Sequence, residues 1–228
     1  MKITEKDIVS GIIDDLKINK LDKINEAYVV SSNKIDYTAD IVSDKVKLSH
    51  QKLVDEYVST LNRVAAELDT VNRDDANSED SAYRSFKLDE VYNLNGAFLH
   101  GLFFENITKS STITVDSLAF LRLERDFGSF NDWQKDFIAT AKSARNGWAV
   151  TVYNTFLKRY INVVVDLNTN NVPFSSYPII VIDMWEHAYY SDYLDDKKKY
   201  IFAVMKQFDW QKINERFQRA EDVGEVFK

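Results

Sequence analysis

WAVTVYNTF (Trp148–Phe156), YINVVVDL (Tyr160–Leu167) and PIIVID (Pro178–Asp183) decide the fold. Each run is dense in β-branched and aromatic residues, and turn-type stretches separate them, which predicts three strands. The chain upstream has a different period. From Ser43 a helical row of Val46, Leu53, Val54, Tyr57, Leu61, Val64 and Leu68 runs without Gly or Pro to the polar segment Asn72–Ser81, so one long helix and a loop are expected. A second helix is expected over Leu88–Ile107. The same period continues through Val115–Phe127 and Asp132–Ala144, with FGSF (Phe127–Phe130) punctuating it. Helical spacing returns over Lys197–Phe208 and Trp210–Ala220. Near the start, Ile8, Ile12, Ile13 and Leu16 lie at helical spacing, and AYVV (Ala27–Val30) reads as a short strand. The expected class is α+β, an N-terminal helical hairpin followed by a small three-stranded antiparallel sheet with flanking helices. The expected parts are an extension over 1–36, a helical hairpin domain over 37–110 and an α/β C-terminal domain over 111–228.

Composition narrows the function. A chain of 228 residues, 45% apolar and 29% charged, with six Gly and two Pro, can bury a core of ordinary size. The absence of cysteine excludes disulfides, thiolate metal sites, iron–sulfur clusters and a cysteine nucleophile, which leaves His, Asp and Glu for any metal. A net charge of −7 argues against a nucleic-acid partner, since gripping phosphates needs clustered excess Lys and Arg. With no apolar run of eighteen residues and a start, MKITEKDIVSGIIDDLK, that alternates charged and apolar residues, neither a membrane partner nor a signal peptide is expected. The expected location is the cytoplasm, or a particle built inside the cell. No phosphate-binding Gly loop or Ser-His-Asp order points to a kinase or hydrolase.

The chain holds three histidines. His50 and His100 fall on the two long expected helices, and His187 follows Asp183 by four residues where the third strand ends, in DMWEHAYY (Asp183–Tyr190). Three imidazoles and a carboxylate from separate elements would suit iron, manganese or zinc. Each imidazole could equally be a hydrogen-bonded packing residue, and the residues alone leave both readings open.

DMWEHAYY, with IIVI before it and YIFAVMKQFDWQKINERF (Tyr200–Phe217) after it, closely resembles the C-terminal signature of iron/manganese superoxide dismutases. LNGAFLHGLFFENI (Leu94–Ile107) is similar to the family's second-helix segment with its metal histidine, FGSF to its next turn, and NGW (Asn146–Trp148) to the start of its sheet. The resemblance runs from Tyr37 to Phe217. It implies one Fe or Mn ion per chain held by His100, Asp183 and His187, a pocket wall at Trp185, and superoxide as substrate. It also implies a catalytic gateway tyrosine at Tyr57 and a homodimer formed through Glu186 and Tyr190.

The family's fourth ligand is a histidine eight residues before that tyrosine; Ser49 stands there and His50 is next to it. Either His50 is the fourth donor, or it is a bystander beside a three-ligand site. The outer-sphere glutamine of the family is expected at one of two places, which here are Gly96 and Ala144. A dimer-bridging histidine is replaced by Leu53. Lys52 and Lys197 are the cations expected to draw in a small anion. Two functions follow from the resemblance: a superoxide dismutase, or a structural protein that keeps the fold within a larger assembly such as a virion or ribosome and meets its partner through residues 1–36.

Overall fold

The computed structural model describes residues 28–32, 34–35 and 38–226. Two long helices come first, α1 (Asp44–Thr70) and α2 (Ala82–Glu105), packed along each other as a hairpin. Each starts on a serine whose hydroxyl accepts from the backbone three residues on: Ser43 Oγ from Val46 N at 3.4 Å and Ser81 Oγ from Arg84 N at 3.2 Å. The Ser81 cap starts α2 six residues before the expected Leu88. Two shorter helices follow, α3 (Leu118–Phe127) and α4 (Phe130–Ser143). Gly128 separates them with φ 91, a left-handed conformation open to glycine, and Ser129 caps α4 immediately afterwards.

The three expected strands are present as β1 (Gly147–Asn154), β2 (Arg159–Asp166) and β3 (Ser176–Asp183), all antiparallel in the order β2-β1-β3. Proline is tolerated in β3 because this is an edge strand with an irregularity at that place. Thr151 pairs with Ile180 and Val152 with Pro178, so Ile179 is the extra residue of a bulge. Three helices close the chain, α5 (Glu186–Tyr193), α6 (Lys197–Lys206) and α7 (Trp210–Val226). The α+β class expected from the sequence holds.

Two expectations need correction or a boundary. Residues 28–30 form no strand. The Val30 backbone is instead held in both directions by the side chain of Asn62 on α1, which accepts from Val30 N at 2.7 Å and donates to Val30 O at 2.9 Å. A β-branched run without a strand beside it has no ladder to join. The amphipathic pattern at Ile8–Leu16 and most of the segment expected to meet an assembly partner lie outside the described residues.

The core that fixes the site lies between the sheet and the helices. Trp133, Phe137, Phe208, Trp148 and Phe217 are almost fully buried, and the rings of Trp133 and Phe137 stand 5.5 Å apart. Large aromatic side chains of this kind dominate the burial energy of a domain. Buried Arg216 of α7 donates to Asn106 Oδ1, to Ile179 O at 3.2 Å and to Glu105 at 2.7 Å, which ties the end of α2 to β3.

Candidate metal centre

His50 lies on the buried face of α1 with Val46, Val54, Tyr57, Val58 and Leu61. At about 100° per residue, the seven-residue step from His50 to Tyr57 falls about 20° short of two turns, so the two side chains share one face. Ser49 is rotated off that face and is exposed, whereas His50 is 1% exposed. The one-residue offset from the family spacing therefore brings the imidazole inward on an ordinary α-helix. His100 on α2 is fully buried. Asp183 ends β3, also fully buried, and His187 sits one residue inside α5.

These four side chains converge. Asp183 Oδ2 lies 3.6 Å from His50 Nε2, 3.3 Å from His100 Nε2 and 3.2 Å from His187 Nε2, and the last two nitrogens are 3.3 Å apart. One donor atom from each residue lies within 4.8 Å of every other.

The protons on two of the rings can be assigned from their partners. His50 Nδ1 lies 3.1 Å from Val46 O and His100 Nδ1 lies 2.6 Å from Gly96 O, each one turn earlier on its own helix. A carbonyl only accepts, so Nδ1 carries the hydrogen and Nε2 turns a lone pair toward the centre. Asp183 is oriented the same way: Trp185 N donates to its Oδ1 at 2.9 Å, which leaves Oδ2 facing inward. His50 Nε2 and Asp183 Oδ2 are accordingly buried without a hydrogen-bond partner, although ring nitrogens lie within ion-pair distance of the carboxylate. Lone pairs facing one another at this range need a proton or a cation between them.

Electrostatics agree with that reading. Burial alone would raise the Asp183 carboxyl, but the three imidazoles packed against it, the charge of His187 foremost, outweigh burial and hold it well below the usual carboxylate range. Burial pushes His50 down against the opposing pull of Asp183, which favours the neutral ring that a metal needs. The donor set also fits an ion. Three imidazole nitrogens and one carboxylate oxygen are ligand types that first-row metals such as iron and manganese take.

Aromatic rings enclose the cluster. Trp148 meets His100 edge-on at 4.7 Å, Phe104 meets His50 at 5.4 Å, Tyr57 lies 5.5 Å from His100, and Trp185 stacks on His187 at 6.0 Å. Only His187, 28% exposed at its side chain, opens toward solvent. Tyr57 is buried, which pushes its phenol well above the ordinary value, and Asn168 beside it acts in the opposite direction.

Residues 118–216 match the family model described as "Iron/manganese superoxide dismutases, C-terminal domain". The chain is 34% identical over 177 residues to a protein named Superoxide dismutase [Fe] from Aquifex pyrophilus, covering 75% of this chain and 82% of that protein. The chain belongs to the iron/manganese superoxide dismutase family. Two further relatives are Superoxide dismutase [Mn] 1 of Halobacterium salinarum, 34% identical over 134 residues, and Superoxide dismutase [Mn] of Haloarcula marismortui, 36% identical over 130. The matches span 66% and 64% of those two proteins, about two thirds of their length, and 59% and 57% of this dismutase-family chain.

The remaining residues singled out from the dismutase resemblance are dispersed. Glu186 and Tyr190 are exposed on α5, one turn apart. Lys197 Nζ donates to Ala144 O at 3.2 Å and lies 5.6 Å from the Tyr189 ring, and Lys52 is exposed on α1. Ala144 is the C-cap that follows α4, with its carbonyl taken by Lys197. No amide reaches Tyr57 from Gly96 or Ala144. The amide near its hydroxyl belongs to Asn168, in the turn after β2, a residue that sequence reasoning passed over. Its setting, LNTNN (Leu167–Asn171), has the composition of a solvated turn and carries no signal that one asparagine is buried.

Proposed function

We propose that this chain binds one iron or manganese ion through His50, His100, Asp183 and His187 and disproportionates superoxide. The observation that carries the reading is the pair of buried, unpartnered donor atoms, His50 Nε2 and Asp183 Oδ2, facing His100 and His187 Nε2. Such groups cost about 1–3 kcal/mol each when unsatisfied, and a cation among them would remove that cost. The names of the relatives, which pair superoxide dismutation with Fe or with Mn, support the choice of metal and substrate.

When bound, the ion would supply a one-electron couple cycling between its trivalent and divalent states. The chain's own residues set the conditions for it. Helix carbonyls at Val46 and Gly96 lock two imidazoles in one tautomer, and Trp185 N locks the carboxylate. The aromatic wall of Trp148, Phe104 and Trp185 excludes bulk water and leaves the His187 side as the approach for a small anion. Tyr57, its phenol raised by burial, keeps its proton at Oη through the working pH range and stands with its ring 5.5 Å from that of His100.

The division into a hairpin part (37–110) and an α/β part (111–228), with an extension over 1–36, belongs to the same proposal. It is supported by the origin of the donors, two from α1 and α2 and two from β3 and α5. A homodimer through Glu186 and Tyr190 is supported by their exposure on one face of α5. Among the described residues no helix is long and apolar enough to cross a membrane, and we place the chain in the cytoplasm. No observation favours a structural role in a virion or ribosome.

The test is elemental analysis of protein produced with iron and manganese supplied, together with superoxide consumption by the parent and His187→Ala. The expected result is near one ion per chain and activity lost in the variant. A parent that stays metal-free under both supplements overturns the reading.

A further inference from the structure

We propose that the apolar row Val9, Ile12, Ile13 and Leu16 seats in a groove of this same chain, between residues 28–35 and the α1–α2 hairpin. The groove has a volume of about 620 Å³, with Val58 and Leu61 of α1 and Leu94, Ala97, Phe98 and Gly101 of α2 on its hairpin side. Val30, Ser31, Lys34 and Ile35 form the opposite wall. Leu94 is 46% and Phe98 51% exposed, and Val91, three residues before Leu94, is 45% exposed. Large apolar side chains grouped in this way mark a surface that another element covers.

The course of the chain points to the occupant. Residues 28–35 are fixed along the hairpin in reverse order: Ile35 N donates to Gln51 Oε1 at 2.6 Å, Ser32 Oγ to Asp55, Val30 N to Asn62 Oδ1 at 2.7 Å and Tyr28 Oη to Glu90 Oε1 at 3.1 Å. Followed backward, the chain thus reaches Glu90, one helical turn from Leu94 in the groove. Residues 1–27 precede that point. Within them Val9, Ile12, Ile13 and Leu16 stand at i, i+3, i+4 and i+7, the anchor spacing with which an amphipathic helix lays into an apolar groove, while Ser10, Asp14 and Asp15 lie between them.

The dimensions match. At 1.5 Å per residue a helical row of that spacing is about 10 Å long, the same step as Leu94 to Gly101 on α2. Ala97 and Gly101 are small and one turn apart, and a Cβ added at Gly101 meets no described atom within 4 Å, so α2 is open there to close approach. The tether favours this segment over a second copy. Residues 17–27 can span up to about 36–40 Å when extended, several times the length of the row. A segment held on such a tether has an effective concentration of about millimolar, above that of a second chain in micromolar solution. Phe104 lines the groove and its ring meets His50 at 5.4 Å, so the seated row also screens the hairpin side of the cluster from water. The contact uses none of the four donors and stands or falls apart from the metal-binding reading.

The chain has no cysteine, so one pair at a time can be introduced into the full chain. Ile12→Cys is combined with Gly101→Cys and, for comparison, with Phe156→Cys, a position on the β1–β2 turn that is 85% exposed. Under mild oxidation the 12–101 bridge is expected to close within one chain at least ten-fold faster than the 12–156 bridge, read by mobility under non-reducing conditions. Phe98→Asp, at a half-exposed position that the fold does not depend on, is expected to slow the 12–101 closure ten-fold or more. Without any cysteine, Ile12→Asp combined with Ile13→Asp is expected to uncover the groove and raise the fluorescence of a bound hydrophobic dye several-fold over the parent. Equal closure rates for the two pairs overturn the proposal, as does a 12–101 closure that Phe98→Asp leaves unchanged. So does a bridge that forms mainly between chains, which assigns the groove to a second copy, or a dye signal no higher in the Ile12→Asp, Ile13→Asp variant than in the parent.

Discussion

Replacing His50 by leucine should change stability in opposite directions with and without metal. In the metal-free chain His50 Nε2 is a buried, unpartnered acceptor, and burial holds its ring neutral, so leucine breaks no ion pair at neutral pH. The bond from His50 Nδ1 to Val46 O is also lost, but that carbonyl keeps its helical partner within α1. Removing one unsatisfied group should therefore stabilise the metal-free form by about 1–3 kcal/mol. At about 2–4 °C per kcal/mol for a chain of this size, the melting temperature rises by roughly 2–12 °C. With manganese or iron present the sign reverses, because one of four donors is gone. Loss of supporting contacts alone costs about 10–100-fold in metal affinity, and loss of a donor should cost more. The assay is a thermal melt of parent and His50→Leu, each stripped and each titrated with metal. A variant that melts lower than the parent when stripped, yet binds metal as tightly, would refute both the orphaned-donor argument and the assignment of His50.

Three further outcomes test other parts of the molecule. Gly147→Ala would set a Cβ 2.1 Å from Val165 O and 2.7 Å from Asp166 Cα, backbone atoms of the paired strand, so β1 and β2 must separate locally; a loss of about 3 kcal/mol or more in urea unfolding is expected, and a loss under 1 kcal/mol would contradict the packing. Trp133→Ala removes a fully buried side chain whose Nε1 donates to Thr151 at 3.2 Å, with an expected cost of about 3–5 kcal/mol. Burial would raise the Glu221 carboxyl, but Arg122, at 2.9 Å, and the Tyr160 hydroxyl outweigh it and lower its pKa. A depressed folded-state pKa gives stability present above the unfolded value of about 4.3 and lost as pH falls through the folded value, so Glu221→Gln should be less stable than the parent at pH 7, with the gap closing below about pH 4. A gap that does not change with pH would show that the carboxylate charge contributes nothing.

The parts of the fold legible in the sequence were those whose pattern is local. The long α1 row and the three β-branched runs each announce themselves within a few residues. Helix α5 does not: its buried residues, Ala188 and Tyr189, are adjacent, and no side chain caps its start. It forms where the chain leaves β3, and its second residue carries the imidazole that completes the cluster. The strand expected at Ala27–Val30 fails over residues 28–30 for a related reason, since residue type was right but the partner for Val30 is an asparagine side chain on α1.

The same limit separates the two halves of the site. His100, Asp183 and His187 stand inside recognisable motifs, whereas Asn168 and Tyr57 are 111 positions apart and meet only after the sheet and the hairpin have packed. His50 falls between these cases. Counted against the family spacing, it is one residue from the expected ligand; counted against the helix, it lies in line with Tyr57, while Ser49 turns to solvent. The face that α1 buries is set by Val46, Val54, Val58 and Leu61, and that apolar row fixes which of positions 49 and 50 points inward. The identity of the inward residue, and not the motif count, therefore decides whether the centre has three protein donors or four.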